Sequence, residues 1–288
     1  MSKNLEVEIC CGSYYDTLQA WKGGAKRVEL NSALHLGGLT PSLGTLRQVK
    51  KNTGLKVICM VRPRGAGFCY NMEEFEVMLE DAHILLENGA DGIAFGCLTA
   101  DRKINEKQTK KMVQLIKSYN KESVFHRAFD CVTDINEAMQ TLIEIGVDRV
   151  LTSGLKSTAI AGAETIQYLQ KEYGEQIEIL AGSELNAQNV QDFIRKTDVK
   201  QIHSSCKGWL PDMTTCSEDV SFSYRAKKKN ACKEAIVGDY EVVDVVLVKK
   251  FIDMATCELA FEIEKEDEKV LKICYDNTAL SGKRIYLI

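Results

Sequence analysis

Proline is scarce in this chain, at three in 288 residues. Each proline removes a backbone donor and interrupts helix and strand ladders. Its scarcity therefore fits a regular helix–strand architecture. Long apolar runs are missing as well. None approaches the ~20 residues a membrane-spanning helix needs, so no membrane partner is expected. Charge of one sign is also missing: the net charge is −4, and nothing in it asks for nucleic acid. The basic run Lys227-Lys228-Lys229 reads as a solvated loop. The opening Met1-Ser2-Lys3-Asn4 lacks the charged and apolar regions of a signal peptide, which predicts a cytoplasmic protein. Eleven cysteines are then expected as reduced thiols rather than a disulfide framework. There is no Cys-x-x-Cys pair, so no structural zinc site is indicated.

What the chain has is alternation, on a hydrophobic fraction of 45% that supports a sizeable core. Short strands are predicted at 7–11, 27–31, 57–64, 92–97, 124–130, 149–153, 177–182 and 199–205. Amphipathic helical stretches lie between them, such as Glu73 to Glu87, with Phe75, Met78, Leu79, Ala82, Leu85 and Leu86 at helical spacing. Others run from Glu106 to Tyr119, Ile135 to Ile145, Ala161 to Tyr173 and Ala187 to Arg195. Gly24, Gly89 and Gly146 each stop a helix just before a strand, where the left-handed position suits glycine. Eight strand–helix units predict an α/β fold, a (β/α)8 TIM barrel, rather than an open doubly wound sheet. The length suits one barrel of about 250 residues with an addition.

The barrel is assigned to residues 1–253 and a β-rich extension to 254–288. Residues 211–225 are polar and irregular. Asp239 to Met254 looks like a final helix, although its valine pairs suit a strand equally well. Cys257 to Glu264 alternates apolar and mostly charged residues, as a half-exposed strand does. Val270–Tyr275 and Arg284–Ile288 read as further strands. A closed barrel offers them no edge. They are expected to form a small appendage on the outside or against a second subunit.

Several strands begin apolar and end in polar groups that a core would not choose. Side chains alternate faces along a strand. Parity then gathers Glu8, Cys10, Glu29, Asn31, Arg62, Arg64, His126, Asp130, Thr152, His203 and Ser205 at the carboxyl-terminal mouth, where barrel enzymes place their chemistry. Glu8, Glu29, His126 and Asp130 are the candidates for acid–base work. Arg62, Arg64, Thr152, His203, Ser204 and Ser205 are the candidates for binding a small anionic ligand, carboxylate or phosphate. The alternative is an ion-pair network that closes the barrel top. For phosphate, the loops Gly182-Ser183-Glu184 and His203-Ser204-Ser205 supply hydroxyls and amides.

Four separated blocks carry a resemblance. Gly37-Gly38-Leu39-Thr40-Pro41-Ser42, Arg62-Pro63-Arg64-Gly65, Phe125 to Asp130 and Val150-Leu151-Thr152-Ser153-Gly154 resemble the signature blocks of the CutC family, named for copper homeostasis. The resemblance runs from about residue 5 to about residue 253. It implies a cytoplasmic TIM barrel, Cu(I) binding and a homodimer. Cys10 is the metal candidate, since Cys10 and Cys11 face opposite sides of their strand. The chain departs from the family at Asn31, where cysteine is common, and soft thiolates are what Cu(I) prefers. It departs again at Ala181-Gly182-Ser183-Glu184-Leu185, in place of a more glycine-rich turn, and in its length beyond 254. Two functions stand side by side: a copper-handling protein, or a barrel enzyme acting on a small anionic metabolite.

Overall fold

Eight parallel strands close into a barrel in chain order. The computed structural model describes residues 5–215, 217, 219, 220, 222 and 240–257. The strands are β1 (Glu6–Cys11), β2 (Arg27–Leu30), β3 (Lys56–Met60), β4 (Gly92–Phe95), β5 (Glu122–Phe125), β6 (Arg149–Thr152), β7 (Glu178–Ala181) and β8 (Gln201–Ser204). The barrel closes where β1 pairs with β8, placing Glu8 beside His203. On its other side β1 pairs with β2, placing Cys10 beside Glu29.

The helices α1 (Tyr14–Lys22), α2 (Leu43–Asn52), α3 (Met72–Glu87), α4 (Glu106–Ser118), α5 (Ile135–Ile145), α6 (Ala163–Tyr173) and α7 (Val190–Thr197) alternate with these strands. Their starts are chemically marked. The Ser13 side chain caps α1, and Asn71 with Glu74 forms a capping box on α3. α1 and α2 had no stretch assigned to them from the sequence. α1 buries Asp16, Thr17 and Ala20, a face with no large apolar residue and so no periodic signal.

Two apolar layers hold the barrel. The larger lies between strands and helices, with residues such as Val28, Cys59, Ile93, Phe125, Leu142 and Ile202. The smaller fills the barrel itself with Ile58, Met60, Ala94, Val124, Leu151 and Leu180. Below it the interior is ionic. Arg27 Nε sits 2.8 Å from Glu8, Arg27 donates to Gln201 at 2.7 Å, and Arg149 pairs with Glu178 at 2.7 Å.

Beyond β8, β9 (Lys207–Leu210) pairs antiparallel with β10 (Tyr240–Val243), and α8 (Val245–Thr256) follows. The segment that suited helix or strand is both in turn, with Asp244 capping the helix between them. The Asp16 carboxylate ties this ribbon to the barrel, accepting from Gly12 and from Val243. The chain divides into a unit spanning 1–257 and a unit spanning 258–288. The boundary expected at 253/254 falls inside α8. The strands expected after 257 lie outside the described residues, as do Lys227 to Lys229.

Candidate functional site

At the carboxyl ends of the strands is a cavity of about 450 Å³. Its walls include Cys10, Glu29, Arg62, His126, His203 and Ser205, with Leu34, Met60, Phe68 and Leu151 as apolar wall. Strand alternation brings these polar residues inward from β1, β2, β8 and the residues just after β3 and β5.

One side is a chain of coupled groups. Glu8 lies beneath it, ion-paired with Arg27 at 2.8 Å and sitting 2.9 Å from His203 Nδ1. Burial works against the Glu8 charge, but Arg27 and His203 outweigh it and hold the carboxyl down at about 2. Burial likewise opposes charge on His203, yet the hydrogen bond to Glu8 and the Glu29 carboxylate raise its pKa above the usual value. His203 Nε2 lies 4.0 Å from Glu29. Burial raises the Glu29 pKa, and His203 pulls against it without reversing it. Asn31 donates to Glu29 Oε2 at 3.0 Å and lies 3.6 Å from Cys10 Sγ. Burial, then the Glu29 charge, pushes the Cys10 thiol well above the ordinary range.

The other side is cationic. Arg62 is buried and donates to the carbonyls of Leu36, Gly38 and Ala66, with the Tyr70 hydroxyl also beside it. No carboxylate among the described residues pairs with it, and its Nε–H has no partner. The Phe68 ring lies beneath the guanidinium, 5.0 Å away, and 5.2 Å from the His126 ring. His126 Nδ1 accepts from the Ala128 amide at 3.1 Å. Its proton therefore sits on Nε2, which is buried and unpartnered. Burial, then the Arg62 charge, hold its pKa down at about 3, so the ring is neutral. Gly96 makes room for it: a Cβ there would meet the ring at 2.6 Å.

Several residues read as mouth-facing are placed elsewhere. Arg64 lies past the end of β3, ion-paired with Glu74 and stacked on Tyr70, outside the cavity wall. Thr152 has the opposite parity to Leu151, which fills the barrel, and points outward to bond Asp130 at 2.6 Å. Asp130 does line the cavity, but it belongs to a 3-10 turn (Arg127–Cys131) rather than to β5. Its two oxygens accept from five donor groups: Arg127 Nε, Thr152 Oγ1, Ser153 N and Oγ, and Leu155 N. These bonds tie the turn after β5 to the loop after β6. Ser204 ends β8 on the cavity wall, and its hydroxyl donates to the Leu185 carbonyl in the loop after β7 at 2.6 Å. Ser205 stays on the cavity wall. Phe68 was not among the sequence candidates. It sits in an irregular loop, where no periodicity marks it.

Cys10, Glu29 and His203 each offer one donor atom, all within 4.8 Å of one another. This is a thiol, an imidazole and a carboxylate at one spot, a set that suits copper and other borderline transition metals. The residues fit an ion, with one soft donor beside an imidazole and a carboxylate.

Fold and site together define a parallel (β/α)8 barrel with an ionisable, partly cationic mouth. Residues 5–208 match the model of the CutC family, and the chain belongs to that family. A CutC family protein of Treponema denticola is 49% identical over 201 residues, 70% of this chain and 81% of that relative. One from Vibrio parahaemolyticus is 35% identical over 209 residues, covering 73% and 85%. Among solved structures, a Streptococcus agalactiae protein described as a copper homeostasis protein CutC superposes with a TM-score of 0.66. The two are 30% identical, over 70% of this chain and 98% of that one. No helix among the described residues is long and apolar enough to cross a membrane.

Proposed function

We propose that this chain handles copper, taking one Cu(I) ion as cargo at the barrel mouth. Cys10 Sγ and His203 Nε2 are the primary donors, and Glu29 closes the site. The observation that carries this reading is the convergence of those donor atoms within 4.8 Å. The Glu8 carboxylate on His203 Nδ1 supports it further. A second-shell carboxylate fixes the ring and its tautomer in metal sites, and its loss commonly costs about 10–100-fold in affinity.

Loading requires the Cys10 thiol to give up its proton and His203 Nε2 to be unprotonated, so binding tightens as pH rises. The test is a Cu(I) titration against a competing chelator under reducing conditions. Wild type takes one ion, Cys10→Ser loses it, and Glu8→Gln weakens it by about 10–100-fold. Weak binding, or binding unchanged in Cys10→Ser, contradicts the proposal. A cytoplasmic setting and a homodimer belong to the same reading. Sedimentation of the full chain at twice 32.2 kDa supports the dimer, and 32.2 kDa contradicts it.

A further inference from the structure

On the flank of the barrel, α3 and α4 are neighbours. Each follows a strand of one parallel sheet, so the two run in the same direction, starting at the mouth end with Met72 and Glu106. Their outer faces carry opposite charge. α3 exposes Glu73, Glu76 and Glu80, and α4 exposes Lys107, Lys110 and Lys111. Among the described residues none of these six charges has an opposite partner. Like charges three or four residues apart on a helix repel by about 0.2–0.5 kcal/mol per pair, so this segregation destabilises both helices in a lone protomer. The acidic face also exposes two large apolar side chains, Met72 at 73% and Val77 at 52%.

We propose that these two faces form one self-complementary interface, on which a second copy of this chain docks. Charge and symmetry select that occupant. A basic partner of another kind would cover α3 and leave α4 unmatched, whereas a copy of this chain carries both faces. A two-fold axis lying along the helices sets each α3 against the α4 of the other copy, and an isologous interface makes every contact twice. The facing helices then run parallel. Counted from the first residue of each helix, Glu73 comes level with Lys107, Glu76 with Lys110 and Val77 with Lys111 across the interface. Met72 and Val77 meet lysine stems, which cover apolar surface while their charged heads stay in water. One exposed ion pair contributes little; the two-fold repeats the pairs and joins them to buried apolar area. This inference rests on the homodimer reading above and uses none of the copper donors.

Sedimentation equilibrium of the full chain tests this with two charge-reversed variants. Glu73→Lys/Glu76→Lys/Glu80→Lys makes both faces basic, and Lys107→Glu/Lys110→Glu/Lys111→Glu makes both acidic. All six side chains are exposed, so circular dichroism should match wild type. Wild type runs at twice 32.2 kDa, and its association weakens as salt rises, an arm that needs no variant. Each variant alone associates at least ~100-fold more weakly, because like charges facing each other cost several kcal/mol. An equimolar mixture of the two regains wild-type association, since each acidic face then meets a basic one. Undiminished self-association of either variant, or a mixture no tighter than the variants alone, would overturn this interface and place the dimer contact elsewhere. Wild type at 32.2 kDa would overturn the dimer reading and this interface with it.

Discussion

Glu8, Cys10, Glu29, Arg62, His126 and His203 follow from a simple rule, the alternation of faces along a strand. The rule holds where the backbone is extended and stops where it is not. Arg64 and Asp130 lie past the last strand residue. Thr152 lies on the strand, but on the face opposite to Leu151, and so points out of the barrel. Asp130 shows what the difference means chemically. Asp130→Asn puts a donor where Ser153 and Leu155 point N–H groups, and urea unfolding should register a loss of about 2–4 kcal/mol. Glu8 carries the acid sensitivity. Its folded pKa of about 2 lies below the ordinary 4.5. It therefore stabilises the fold above that value, and the contribution is lost as pH falls towards 2. His126 acts in the same direction over a higher window, from 6.5 down to about 3. Urea midpoints measured from pH 7 to 2.5 should fall in wild type. In Glu8→Gln they should start lower, because Arg27 and His203 lose their partner, and change less below 4.5.

At the scale of elements, the strands and the long helices α3, α4 and α5 are legible because their buried residues are large and periodic. α1 is not, since it buries an aspartate and a threonine against the ribbon. β9 and β10 are short, and they pair across residues 211–239 with no turn signature linking them. Loops carry the remaining content of the site, including Phe68 and the turn after β7. In that turn Ser183 and Glu184 both hold positive φ, at 88° and 58°, where L-residues pay about 1–2 kcal/mol. Glu184→Gly relieves that, offset by glycine's backbone entropy, for a net gain of about 0.5–1 kcal/mol in a thermal melt. Gly96→Ala works the other way. Its Cβ would overlap the His126 ring, and overpacking of this kind costs about 1–3 kcal/mol. Circular-dichroism melts should show Gly96→Ala less stable than wild type.

At the scale of the whole molecule, a barrel was readable because eight strand–helix units repeat with glycine stops. What a barrel does is far less readable, since the fold hosts many chemistries and only the mouth distinguishes them. Here one side of the mouth combines one thiol, one imidazole and one carboxylate. The most direct test is X-ray absorption at the copper edge on the Cu(I)-loaded full chain. The account predicts a first shell with one sulfur and at least one nitrogen or oxygen, and no copper retained in Cys10→Ser. A first shell of two or more sulfurs, unchanged in Cys10→Ser, would contradict it and assign the copper to other thiols of the chain.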